Sequence, residues 1–143
     1  MEIIITENQF EKLKNSEESK VLNILSFEIF GNDWGRLQRY LERKGNPLYS
    51  VGGDLDLQNT PIKSLGNLTS VGGNLDLENT SIKSLGNLTS VGGYLDLQDT
   101  PIQSLGNLTS VGGNLYLGNT PMSNKHTKQE IKQMVNIGGG IYL

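Results

Sequence analysis

Ser50-Val51-Gly52-Gly53-Asp54-Leu55-Asp56-Leu57-Gln58-Asn59-Thr60-Pro61-Ile62-Lys63-Ser64-Leu65-Gly66-Asn67-Leu68-Thr69 is followed at once by a near copy of itself from Ser70 to Thr89, and by another from Ser90 to Thr109. A further copy opens at Ser110 and holds through Leu117 to Thr120 before the pattern breaks. Self-similarity at a fixed period of 20 residues signals stacked repeats rather than a single interleaved core. Each row carries an alternating pair, Leu55/Leu57, Leu75/Leu77, Leu95/Leu97 and Leu115/Leu117. Alternate residues of a strand share a face, so each pair predicts a short strand with both leucines inward. Ile62, Leu65, Leu68 and Val71 also point inward if the row curls into a coil. One row exposes too much apolar surface to fold alone, whereas stacked rows cover one another and share stability between neighbours.

The corners fit the same reading. The Gly-Gly pair before each strand suits a tight turn, through either positive φ or close backbone approach. Pro61, Pro101 and Pro121 stiffen the corner after the strand, with Ser81 in that place in the second row. Ile137-Gly138-Gly139-Gly140-Ile141-Tyr142-Leu143 matches Val111 through Leu117, so a further strand is expected after an insertion at 123–136. The pattern Leu75-x-Leu77-x-x-Thr80-x-Ile82 resembles the leucine-rich repeat. Its regularity is similar to that of short repeats in some bacterial and phage-encoded proteins. Thr80 and its equivalents stand where that family usually has Asn or Cys, and a Thr hydroxyl does part of the same turn-closing work. The resemblance covers about 48–143. It implies an α+β repeat protein, a parallel β-solenoid of about five coils. It implies almost nothing about activity.

A solenoid exposes apolar surface at its ends and needs caps. Residues 1–48 are expected to form a helical cap ahead of a solenoid at 49–143. Thr6 with Gln9 is a capping-box match for a first helix. Ser16 is placed to cap a second, with Val21, Leu22, Leu25 and Ile29 at helical spacing. Asp33 is placed to cap a third from Trp34 to Lys44, ended by Gly45 and Pro47. Leu48 falls in the column of Leu68. Thr127 with Glu130 predicts a helix from about Lys128 to Val135, just before the last strand.

Composition narrows the function. The chain has no cysteine, which removes disulfides and thiol chemistry. A net charge of −3 argues against direct nucleic-acid or membrane-surface binding. Met1-Glu2-Ile3-Ile4-Ile5-Thr6 is too short an apolar run for a secretion signal and carries an acid where a basic residue belongs, so a cytoplasmic protein is expected. His126 is the only histidine, and no constellation for nucleophilic or metal catalysis surrounds it in sequence. A non-enzymatic protein without a cofactor or metal is expected.

Outward-facing residues form columns across the rows. Asp54, Asn74, Tyr94, Asn114 and Gly140 make one; Asp56, Asp76, Asp96, Tyr116 and Tyr142 a second; Gln58, Glu78, Gln98 and Gly118 a third. Like charges one strand apart repel, so the Asp column costs stability. Solubility is the plain reason for such a face. Recognition of a basic protein is the functional one, through Asp54, Asp56, Asp76, Glu78, Tyr94, Asp96, Tyr116 and Tyr142. A narrower version is a phage-encoded inhibitor that blocks a host nucleic-acid-binding or defence protein. The alternative is a structural or small-ligand module holding a carbohydrate or nucleotide on the tyrosines and Asn74/Asn114. A Ca²⁺ site of the β-roll kind would need more oxygen ligands per coil than one Asp. The Thr60/Thr80/Thr100/Thr120 column suits turn closure better than ice binding. An open edge at the last strand leaves room for a homodimer.

Overall fold

The computed structural model describes residues 20–143. The helix expected from Thr6 lies outside the described residues, as does Ser16. Each row of sequence folds into two short strands, not one. The first sheet takes β1 (Leu22–Ile24), β2 (Tyr49–Val51), β4 (Leu68–Val71), β6 (Ser90–Val91), β8 (Ser110–Val111) and β10 (Asn136–Ile137). The second takes β3 (Leu55–Asp56), β5 (Leu75–Asp76), β7 (Leu95–Asp96), β9 (Leu115–Tyr116) and β11 (Ile141–Tyr142). All pairings are parallel, and in the second sheet each residue meets its equivalent in the next row: Leu55 on Leu75, Leu75 on Leu95, Leu95 on Leu115, Leu115 on Ile141. A 3-10 helix (Phe27–Phe30) and three α-helices complete the described chain: α1 (Trp34–Arg43), α2 (Pro121–Lys125) and α3 (Lys128–Met134). The result is a mixed α/β fold whose short parallel strands recur in a solenoid-like pattern.

The strand leucines supply the core. Leu55, Leu57, Leu75, Leu77, Leu95, Leu97, Leu115 and Leu117 are all buried, together with the Leu65/Leu85/Leu105, Leu68/Leu88/Leu108 and Val51/Val71/Val91/Val111 columns. The Thr column closes the turn after each strand. Oγ1 of Thr80, Thr100 and Thr120 donates to the carbonyls of Leu77, Leu97 and Leu117 at 2.7–2.8 Å, and all three threonines are buried. Just before them, Asn59, Asn79, Asp99 and Asn119 take φ of 56–59°, a conformation that short Asn and Asp side chains tolerate best among residues with a Cβ.

The Gly-Gly corner works by close approach and not by positive φ. A Cβ on Gly72, Gly92 or Gly112 would land on the carbonyl oxygen of the glycine one row earlier. Positive φ falls instead on Gly66, Gly86 and Gly106, in the loop before the first-sheet strands.

Two expectations need correction. Val21 to Ile29 is not one continuous helix; only its end falls in the 3-10 helix Phe27–Phe30. Leu22–Ile24 is a strand paired with Tyr49–Val51, Ile24 is buried, and Leu25 is 78 % exposed. The edge of β2 has a full row of N–H and C=O groups to satisfy, and pairing outweighs a helical spacing of only four apolar residues. Ser26 caps the 3-10 helix that follows, its side chain accepting from the Glu28 N–H. The other slip is at Leu48. Tyr49, not Leu48, sits opposite Leu68, and a register shift restores Ser50 to Ser70. Tyr49 is buried there because its hydroxyl has partners: it donates to Leu65 O at 2.8 Å, and Gln38 Nε2 reaches it at 3.5 Å.

Two helices follow the sequence reading. Asp33 Oδ1 accepts from the Arg36 N–H at the start of α1, and Leu37 and Leu41 are its buried face. Thr127 and Glu130 form the expected reciprocal capping box on α3. Helix α2 was not foreseen. Its N-cap is Thr120, the last of the turn-closing threonines, with Pro121 at its first position.

Candidate functional site

The outer face of the second sheet brings the candidate residues onto one strip. Asp56, Asp76, Asp96, Tyr116 and Tyr142 are consecutive rungs of one ladder. Asp56 and Tyr142 are exposed, while Asp76, Asp96, Tyr94 and Tyr116 are half-buried by their neighbours. The Tyr94 and Tyr116 rings meet edge-on with centroids 6.1 Å apart, and Tyr116 stacks on Tyr142 at 5.0 Å and 15°. The strip is acidic at one end and aromatic at the other. No Lys or Arg among the described residues makes a salt bridge to its carboxylates; the Arg–carboxylate pair described is Arg36 with Asp33.

Part of this face has a purpose inside the fold that sequence reasoning missed. Asp56, Asp76 and Asp96 each accept a hydrogen bond at 3.0–3.1 Å from the backbone N–H two residues on, at Gln58, Glu78 and Gln98. This tightens the turn that leaves the strand. Gln58 and Gln98 also return a side-chain N–H to the same carboxylates, at 3.0 and 3.2 Å. In the first column, Asp54 Oδ1 accepts from the Asn74 N–H, Asn74 Oδ1 from the Tyr94 N–H, and Asn114 Oδ1 from the Gly140 N–H. The Asp56/Asp76/Asp96 column is therefore turn chemistry, signalled locally by an Asp two positions before a backbone N–H, while the Asp54/Asn74/Asn114 column ties each row to the next.

Glu78, Tyr94 and Tyr116 on this strip depart from that pattern, beside Gly118 in the Gln column and Gly140 and Tyr142 in the last row. Glu78 stands where Gln58 and Gln98 donate to an Asp; a carboxylate donates nothing and adds charge. Tyr94 stands where Asp54, Asn74 and Asn114 each accept from the next row, and offers no such acceptor. Tyr116 stands where Asp accepts from the backbone two residues on. Its phenol is held instead by Asn114, whose Nδ2 donates to it at 3.0 Å. Each departure gives up a hydrogen bond that other rows make.

The electrostatics follow. Oxygens of Asp76, Glu78 and Asp96 lie within 4.8 Å of one another. The Asp76 carboxyl is raised above the ordinary carboxylate range, first by loss of solvent and then by the charges of Asp96, Asp56 and Glu78, against a lowering pull from the Glu78 N–H. Tyr94 is raised for the same two reasons, burial first and then the Asp76, Asp56, Asp96 and Asp54 charges. Three carboxylate oxygens are half or less of a Ca²⁺ shell, which takes 6–8 oxygens. What the strip offers is concentrated negative charge next to flat apolar rings.

Elsewhere, Ser70, Ser90, Ser110 and Asn136 with Gly72, Gly92, Gly112 and Gly138 line a shallow groove of about 400 Å³ along the first sheet. It arises because glycines leave no side chains at the corner. His126 follows α2, its Nδ1 buried without a hydrogen bond and 3.6 Å from Glu130 Oε2. No family model, curated protein or solved structure matches this chain.

Proposed function

We propose that this chain is a non-enzymatic protein-binding module of the leucine-rich-repeat kind, which engages a basic protein through the strip from Asp56 to Tyr142. The observation that carries the reading is the clustering of departures. Glu78, Tyr94 and Tyr116 each forgo a bond the repeat supplies elsewhere, and all three face the same solvent. A fold selected for stability alone would keep the Gln, Asn and Asp of its other rows. Acid at one end steers a cationic surface, and exposed rings on a rigid sheet supply apolar anchors. Steric and electrostatic occupation of a basic surface fits an inhibitor of a nucleic-acid-binding or defence protein, of the kind phages encode.

The test is affinity capture with the wild type beside a folded Asp56→Lys/Asp76→Lys/Tyr116→Ala variant. Retention of a basic protein by the wild type alone supports the reading. Equal retention by both variants removes the strip from the account. The alternative, a small polar ligand such as a carbohydrate, has the groove over Ser70, Ser90 and Ser110 in its favour. It predicts thermal stabilisation by a sugar without any protein present.

A further inference from the structure

We infer that the partner presents an α-helix lying along the stacking direction, with cationic residues one turn apart over the aspartates and apolar residues over the tyrosines. This rests on the protein-binding reading and adds the shape of the bound element.

The first argument is hydrogen bonding. The strip is a sheet face and not a sheet edge, so it has no backbone N–H or C=O to offer. An extended segment pressed against it would bury main-chain groups without partners, which costs free energy at every residue. A helix arrives with its main chain already satisfied and shows only side chains, which is how amphipathic helices fill apolar surfaces.

The second argument is spacing. Parallel strands lie about 4.8 Å apart, so Asp56, Asp76 and Asp96 span about 9.6 Å. Helix residues i, i+3 and i+6 or i+7 span about 9.0–10.5 Å and stay on one face. Same-side residues of a strand span about 13 Å over three positions and drift off the ladder. The four steps from Asp56 to Tyr142 cover about 19 Å, the length of roughly 13 helical residues. The third is charge. The crowded Asp76, Glu78 and Asp96 oxygens meet no cation of the described residues, and a Lys or Arg from outside would relieve their mutual repulsion. Beyond them the Tyr116 and Tyr142 rings, stacked at 5.0 Å, present an apolar platform to the next turns of the same helix.

The experiment uses the full chain and labelled, Ala-rich synthetic peptides in fluorescence anisotropy. One peptide carries Arg at i, i+3 and i+7 and Leu one and two turns later on the same face. A second has the same composition with the Arg residues spread around the helix, and a third is the first interrupted by a central Pro. The in-register peptide is expected to bind about tenfold more tightly than either control. It is also expected to lose about tenfold on Glu78→Gln or Tyr94→Asn, replacements that other rows already use and that should leave the fold intact. If both controls bind as tightly as the in-register peptide and all three weaken on Glu78→Gln, the helix is wrong and the acidic binding face stands. If the in-register peptide ignores both replacements, or no peptide binds at low salt, the helix inference is overturned. In the last case the protein-binding reading falls with it.

Discussion

The glycine corner of the first sheet and the outer face of the second are built from the same rows, yet the corner keeps its Gly-Gly pair in every row, the last included, and the face does not keep its residues. Ser-Val-Gly-Gly recurs at 50–53, 70–73, 90–93 and 110–113 unchanged, while the columns through 54, 56 and 58 drift to Tyr, Glu and Gly. At the corner, backbone meets backbone, and nothing larger than hydrogen fits on Gly72, Gly92 or Gly112. On the outer face only side chains are at stake, and a lost Asx-type bond costs about 1 kcal/mol. Regularity therefore marks what the stack requires. Irregularity marks where something other than the stack decides the residue.

The comparison breaks if the corner tolerates change. Gly92→Val is expected to destabilise by about 3 kcal/mol or more, because its Cβ would collide with the Gly72 carbonyl. Gly53→Ala, one position over in the first row, meets nothing within 4 Å and should stay within about 0.5 kcal/mol of the wild type. Denaturant melts of the two variants check the contrast directly. Next in size is the buried turn. Thr100→Val removes the bond to Leu97 O and should cost about 1–2 kcal/mol in the same melts, since it leaves that carbonyl short of a donor.

The outer face predicts the opposite sign. Asp76→Asn keeps the oxygen that accepts from Glu78 and removes a crowded charge. It should raise the melting temperature at neutral pH by about 2–4 °C, a gain of roughly 1 kcal/mol or less after solvent screening. The pH dependence has a definite direction. The folded state raises the Asp76 carboxyl, so it holds that proton more tightly than the unfolded chain does. The wild type is relatively favoured at low pH and loses that advantage as pH rises through the carboxylate range. The benefit of Asp76→Asn should therefore shrink toward zero as the melt is taken below about pH 4. An effect of similar size and opposite sign belongs to the helix end. Asp33→Ala at the cap of α1 should cost about 1 kcal/mol by the same measurement.

Much of this was legible in the sequence because repeats make long-range geometry local. A period of 20 places Asp56, Asp76, Asp96 and Tyr116 on one ladder, and the match of Ile137–Leu143 to Val111–Leu117 adds Tyr142. Asp33 and the Thr127/Glu130 pair marked their helices because a cap is decided within four residues. What failed depended on partners distant in the chain. Leu22–Ile24 carries apolar spacing that suits a helix as well as a strand, and the open edge of β2 settles it. Tyr49 takes the place of Leu48 because Leu65, sixteen residues on, offers a carbonyl to its hydroxyl. The Asp column was read as purely external, whereas its oxygens also close turns. That internal role makes Glu78, Tyr94 and Tyr116, rather than the aspartates, the informative residues.

The central claim is that those three departures serve a partner. Its most direct test is capture of a basic protein by the wild type and by a Glu78→Gln/Tyr94→Asn variant, each made with residues the repeat already uses, and each challenged with rising salt. The account predicts that the variant is at least as stable as the wild type, retains the partner more weakly, and loses part of the salt sensitivity. A variant that retains the same protein equally well, with the same salt dependence, would contradict it.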